Sequence, residues 1–300
     1  MEAKPYRLIQ QRRRASLLAF LRSIHQDSLF VREVVLQYPG PVLSNLRCGE
    51  WYVADRTHGS AYFKSTDGHS GQETFSFTRL NLNVAALAAE RGVVLLVDST
   101  SRGKAFPDAL SRTVPIWCAV LNTCVALERR RGGGEAEVGE EWDNTLVFPP
   151  WVHESEHDRV AQLIGGWAAK LARVALSTDG LLTALCATLA KPLRPLFVGN
   201  ASTLEAECIP PPEELPFTPI VLVSASKQMA PTAASHRALH SWPYIQGAGD
   251  DHEGWARGLA ASEWWSHADD LLGSGSDEAC AALVDEIVAR RVAGAASSRW

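Results

Sequence analysis

Gly92–Asn122 reads GVVLLVDSTSRGKAFPDALSRTVPIWCAVLN. Its five consecutive apolar residues, Val93 to Val97, are too few and too β-branched for an independent helix. They suit a strand buried on both faces of a parallel sheet. The run stops at Asp98 and gives way to Ser99, Thr100, Ser101, Arg102, Gly103 and Lys104. A buried strand thus delivers a carboxylate, three hydroxyls, two cations and a flexible glycine into one loop. In open α/β sheets ligands bind just beyond the carboxyl ends of the strands. The hydroxyls, the glycine-freed amides, Arg102 and Lys104 are donors suited to phosphate, while Asp98 suits a sugar hydroxyl or a magnesium-bound water. From this loop alone, a plain polar turn between strand and helix is an equally good reading.

Downstream, Pro107 and Asp108 lead into Thr113-Val114-Pro115, with Pro115 expected in the first turn of a helix. Ile116, Ala119, Val120, Thr123 and Leu127 then recur at helical spacing, so that helix packs on the sheet. Further strands are expected at Leu196–Val198 and Ile220–Val223, each ending in a small polar loop. Ser155 is expected to cap a helix running to about Leu176, lined by Val160, Leu163, Ile164, Trp167 and Leu171. The pattern predicts an α/β fold: a mixed or mostly parallel sheet flanked by helices, with ligand loops at the strand C-terminal ends. Three regions are expected: an N-terminal helical region over 1–38, a catalytic domain over 39–272, and a linker with a C-terminal helix over 273–300.

Other stretches carry chemistry. Lys64-Ser65-Thr66-Asp67-Gly68-His69 is a hydroxyl-rich turn in which Asp67 or His69 suits a general base on a sugar hydroxyl, and Ser65 and Thr66 suit phosphate oxygens. An exposed turn histidine without a role is the commoner case. Arg47, beside a glycine in a turn expected to lead into a short strand, and Arg79, at an element boundary, are phosphate-clamp candidates that also suit structural ion pairs. Asp250 and Asp251, after a glycine turn in YIQGAGDDHE, suit magnesium, which takes a few carboxylates plus substrate phosphates. They also suit a cap on the helix toward Trp264-Trp265.

Composition narrows the classes. The 300 residues are 46% hydrophobic, enough for a substantial core, and the net charge of −5 argues against a broad nucleic-acid surface. Any RNA contact is therefore local, and DNA binding is not expected. Lys4, Arg7, Arg12, Arg13 and Arg14 precede an apolar helical set and form a basic patch, more simply read as a solvated face. The six cysteines include no CxxC pair and no zinc-like spacing. Without a signal peptide or a bilayer-length apolar run, the chain is expected to be cytoplasmic, with no membrane partner. Cys124 and Arg130 meet the C-x5-R spacing of cysteine phosphatases, but the residues between them are helix-forming and lack glycine, so that reading is rejected.

The loop order of strand, acid and Ser/Thr/Gly stretch is similar to that of type I phosphoribosyltransferases, which typically carry two adjacent acids where this chain has Asp98 alone. A closer resemblance covers about residues 40 to 268. VDSTSRGKAFPDALSRTVPIWCAVLN, with LRCGEWYV, KSTDGH, FSFTRLNLN, FPPWVHESEH, PLRPLFV and YIQGAGDDHEGWARGL in the same order, resembles the fungal and plant initiator tRNA 2′-O-ribosyl phosphate transferases. The resemblance implies a pentosyltransferase moving a 5-phosphoribosyl group from phosphoribosyl diphosphate, with magnesium, to the ribose 2′-hydroxyl of adenosine 64 in initiator methionine tRNA. In that family the mark keeps the initiator out of elongation. The chain departs from the family at Ser101, usually arginine, and at Glu73 after Gln72, usually tryptophan. Family members normally continue into a domain resembling dual-specificity phosphatases, which these 300 residues do not supply. A phosphohydrolase using the same loops, or a silent tRNA-binding module, are the alternatives.

Overall fold

The computed structural model describes residues 16–46, 48–54, 58–68, 71–101, 103–131, 142–175, 181–200, 210–229 and 242–297. Helix α1 spans Leu17–Gln37 and is followed by strand β1, Val42–Asn45, and a short strand β2, Ser60–Ala61. Helix α2, Leu82–Arg91, leads through the left-handed Gly92 into β3, Val94–Asp98, all five of whose residues are buried. Then come α3, Val114–Arg131, α4, Glu154–Ala175, and α5, Leu181–Thr188. Strands β4, Leu193–Gly199, and β5, Thr218–Ser224, precede α6, Ala261–Ser266, α7, Ala268–Gly273, and α8, Asp277–Ser297. The five strands form one sheet in the order β2-β1-β3-β5-β4, and every pairing is parallel.

The two-residue period of the strands divides the core. Val94, Leu96, Ile220 and Leu222 face the layer of α2, α3 and α4, whereas Val93, Leu95, Val97, Val221 and Val223 face α1 and the C-terminal helices. Apolar cover on both faces is what an uninterrupted apolar run such as Val93–Val97 requires. The N-terminal and C-terminal helices meet there: Asp277 accepts from the Leu18 amide at 2.9 Å, satisfying one donor of the first turn of α1. Leu17, Leu18, Phe20, Leu21 and Ile24 share a core with Cys280, Val284 and Ile287 of α8. The helix over Ala109–Arg131 is long and apolar enough to cross a bilayer, but 78% of its apolar window is buried, as befits a core helix of a doubly covered sheet.

Several local expectations need correction. Asn45–Tyr52 does not lead into a strand; the strand precedes it, and Gly49–Trp51 is a turn of 3-10 helix. Pro115 is the second residue of α3, in its first turn as expected, but a π turn over Ala109–Thr113 runs directly into that helix. Proline has no N–H to donate to the carbonyl four residues back, and the wider turn just before it shifts the register. In α4 the ring of His153, not Ser155, takes the first-turn position, accepting from the Ser155 amide at 3.2 Å. Leu163 is 41% exposed, whereas Val160, Ile164 and Leu171 are buried. The Asp250-Asp251 pair caps no helix toward Trp264; that helix is closed by Glu263, which accepts from the Ala260 amide at 2.8 Å.

Candidate active site

β3 is the middle strand, and its carboxyl end is the floor of the site. Asp98 is fully buried, and its carboxylate accepts from Asn45 Nδ2 at 2.8 Å, the Cys48 thiol at 2.9 Å and the Ser99 amide at 2.8 Å. It thus holds the loop from beneath and joins it to the end of β1. Asn45 also pairs with the Phe63 backbone, donating to its carbonyl at 3.0 Å and accepting from its amide at 2.8 Å. That double bond fixes the segment leading into Lys64–His69 beside Asp98. Gly49 can approach because it has no side chain: a Cβ there would lie 2.2 Å from the Val97 carbonyl oxygen.

The Tyr244–Glu253 segment docks on the same loop. Gly247 is left-handed, and a Cβ on it would stand 2.4 Å from the Thr100 carbonyl carbon and 2.5 Å from the Ser101 nitrogen. Asp250 accepts from the Ser101 hydroxyl at 2.8 Å and its amide at 3.2 Å. Gln246 donates to the carbonyls of Thr100 at 3.1 Å and Lys104 at 2.8 Å, so one side chain fixes the loop's width. From the β5 side, Ser99 and Ser226 hydroxyls lie 2.6 Å apart, Ser224 donates to the Ala105 carbonyl at 2.6 Å, and Gln228 donates to the Gly103 carbonyl at 2.7 Å. Thr100 is buried, whereas Lys104 is 48% exposed and pairs with Asp108 at 2.9 Å.

Ser65–Gly68 forms a 3-10 turn packed against the π turn that the Asp98 loop feeds, and the Thr113 hydroxyl donates to the Lys64 carbonyl at 3.1 Å. Asp67 is buried and receives Arg79 in a two-pronged pair at 2.8 and 3.2 Å. Ser65 is half-buried and Thr66 exposed. Asp67 and Arg79 line a small cleft with Tyr62, Ser76, Thr113 and Trp117. Trp151 is 53% exposed and rests on Phe106, 5.1 Å between ring centroids, and on Phe197 at 6.2 Å. Asp251 is exposed, and among the described residues no group of three or more His, Cys, Asp or Glu is placed to hold a metal ion. Arg47, His69 and Arg102 lie outside the described residues, as do the basic residues before Ser16.

The rejected phosphatase spacing lies wholly within α3, where burial pushes the Cys124 thiol up to about 12. A thiol held neutral on a helix is no nucleophile.

The chain matches the family described as the Rit1 N-terminal domain over residues 10–289. It belongs to that family. It is 37% identical over 268 residues to the tRNA A64-2′-O-ribosylphosphate transferase of Saccharomyces cerevisiae, covering 84% of this chain and 50% of that protein. It is 41% identical over 256 residues to an uncharacterized protein of Schizosaccharomyces pombe, covering 84% of this chain and 52% of the relative. The chain therefore spans about half the length of each of these relatives. No solved structure matches it.

In this member of the Rit1 family, sequence reasoning passed over Asn45, Ser226, Tyr244, Gln246 and Asp27. Tyr244 and Gln246 stood inside the YIQGAGDDHE motif, where the acids drew attention. Asp27 left a plainer signal: it interrupts the apolar stripe of Phe20, Ile24, Val31 and Val34 on α1 with a carboxylate.

Proposed function

We propose that this chain carries the transferase site of a tRNA ribosylphosphate transferase, with phosphoribosyl diphosphate as donor and the 2′-hydroxyl of adenosine 64 in initiator methionine tRNA as acceptor. The observation that carries the reading is the docking of the Gly247–Asp250 turn onto Thr100 and Ser101, which assembles a hydroxyl-, amide- and cation-bearing loop at the end of the central strand. It stands beside 37% identity to a protein named for that transfer. In the reaction the bond from ribose C1 to the diphosphate oxygen breaks, the diphosphate leaves with the electron pair, and the acceptor 2′-oxygen bonds to C1 while its proton passes to a base.

The residues divide by role. Ser99, Thr100, Gly103 and Lys104 bind the diphosphate, with Arg102 and Arg47 as further cations. Asp98 sets the shape of that loop. Asp67 holds Arg79 toward the cleft, with Ser65 and Thr66 beside it, and His69 takes the acceptor's proton. Trp151 offers a face on which an unpaired acceptor base stacks. Two carboxylates, one of them already engaged by Ser101, do not make a cage for a resident ion, but they fit magnesium that arrives on the diphosphate, where it would neutralise the leaving charge. A cytoplasmic location belongs to the same proposal.

The test is to incubate the chain with initiator tRNA, labelled phosphoribosyl diphosphate and magnesium, and to map the modified nucleotide. Label at adenosine 64 is expected. Diphosphate release without tRNA would favour a hydrolase, and tRNA binding that ignores the donor would favour a silent module.

A further inference from the structure

We propose that Asp27, on α1, is a positioning residue that sets the donor loop through Ser226. The inference rests on the transferase reading above and deepens it. Asp27 is fully buried and acts on the loop from a different element. Its Oδ2 accepts from the Ser226 hydroxyl at 2.7 Å, and its Oδ1 accepts from the Tyr244 hydroxyl at 2.7 Å and from Asn200 Nδ2 at 3.4 Å. Ser226 and Tyr244 then reach the site. Ser226 Oγ lies 2.6 Å from Ser99 Oγ and accepts from the Gly247 amide at 3.0 Å, while Tyr244 accepts from the Lys227 amide at 2.9 Å. One carboxylate on the N-terminal helix thereby ties the loop after β3, the loop after β5 and the Gly247 turn.

The protons in this chain have a direction. A serine hydroxyl has one proton to give, and Ser226 gives its proton to Asp27, so Ser99 must be the donor in the Ser99–Ser226 bond. If Asp27 is protonated on Oδ2, it donates to Ser226 instead, Ser226 turns its proton on Ser99 or on the Tyr52 hydroxyl at 3.4 Å, and Ser99 no longer has to donate to Ser226. The charge on Asp27 therefore decides whether Ser99 is held as a donor to Ser226. Burial holds the Asp27 carboxyl up at about 8, against hydrogen bonds from Ser226, Tyr244 and the Lys227 amide that favour the ion. Among the described residues, the titratable groups around it include Tyr244, Lys227 next to Ser226 and, across Ser226, Tyr52, with Cys48 and Asp98 beyond Tyr52. Burial pushes both tyrosines upward, so they stay neutral through the range in which Asp27 ionises.

The experiment measures donor affinity by calorimetry, and KM and kcat for transfer, from pH 6.5 to 9. Wild type is compared with Asp27→Asn, which keeps the shape and cannot ionise, and Ser226→Ala, which breaks the link and leaves Asp27 in place. Wild-type donor affinity is expected to change by about threefold or more across pH 8, and Asp27→Asn to flatten that limb, while Ser226→Ala raises donor Kd by about tenfold, the loss of one good hydrogen bond. A limb that persists unchanged in Asp27→Asn, or a Ser226→Ala protein with native donor affinity, overturns the proposal. A wild-type chain that binds the donor but never transfers would sink the transferase reading alone. One that binds no donor sinks both.

Discussion

Replacing Gly247 by alanine should uncouple the Tyr244–Glu253 segment from the donor loop. Gly247 has φ +61°, where a β-carbon costs about 1–2 kcal/mol. The new methyl would also meet Thr100 and Ser101 backbone at 2.4–2.5 Å, well inside contact distance. Backbone cannot swing aside as a flexible side chain can, and overpacking of this kind costs about 1–3 kcal/mol more. The sum is about 2–5 kcal/mol, a large part of a domain's stability. Gly275 is the control: its φ is +78° and a methyl added there would have nothing within 4 Å, so Gly275→Ala bears the conformational cost alone. Urea unfolding of both variants, with equal m values, isolates the clash as the difference, about 1–3 kcal/mol. Because the loop must yield, donor affinity of Gly247→Ala should fall as well, while Gly275→Ala keeps it. Equal stability losses in the two variants, or native donor binding in Gly247→Ala, would show that the turn does not set the loop.

Three further outcomes are expected. Lys104→Ala should weaken donor binding by about tenfold or more, the loss of a charged hydrogen bond, yet cost less than about 1 kcal/mol of stability, since its pair with Asp108 is half-exposed; calorimetry and urea melts read both. Asp67→Asn should release Arg79 and lower transfer by at least about tenfold with donor Kd nearly unchanged, and Arg79→Lys should not restore the function, because a single ammonium cannot reproduce the two-pronged pair. Trp151→Ala should raise KM for tRNA by about tenfold, the low end of a lost base stack, with Trp151→Phe intermediate and donor Kd unmoved.

Much of this arrangement was legible because it rests on strong local signals. Val93–Val97 could be read as the central strand because an apolar run ending abruptly in polar residues has few other uses, and the structure places it between β1 and β5. The strands at Leu193–Gly199 and Thr218–Ser224 were found for the same reason, four and three residues short. β1 and β2 were missed because four and two residues carry no periodicity, and their pairing is fixed by tertiary contacts such as Asn45 with Phe63. The meeting of the Asp98 loop with the Gly247 turn could be expected from the need of one transfer site for both, but its means is tertiary, one glycine's missing side chain across about 150 residues of chain. Asp27 was hidden for a different reason: its partners, Ser226 and Tyr244, lie some 200 residues away, and only the break in an apolar stripe marks it.

To bind the two polyanions proposed for it, an acidic chain must do so without help from its overall field. The described cations around the site are already matched, Lys104 and Arg112 by Asp108, Arg112 by Glu156, and Arg79 by Asp67. A phosphate reaching Lys104 therefore exchanges one ion pair for another, and the gain is set by geometry and by the hydroxyls and amides of the loop rather than by net charge. For such a site, long-range steering is weak and salt dependence shallow, and affinity depends on how firmly the loop is pre-shaped. That is what Asp98 from below, Gln246 across its width, Asp250 at Ser101 and Ser226 at Ser99 supply. The buried polar groups beneath the loop are thus more than an expense of folding: they hold the loop in one conformation before the donor arrives, so that little of the binding energy is spent on ordering it.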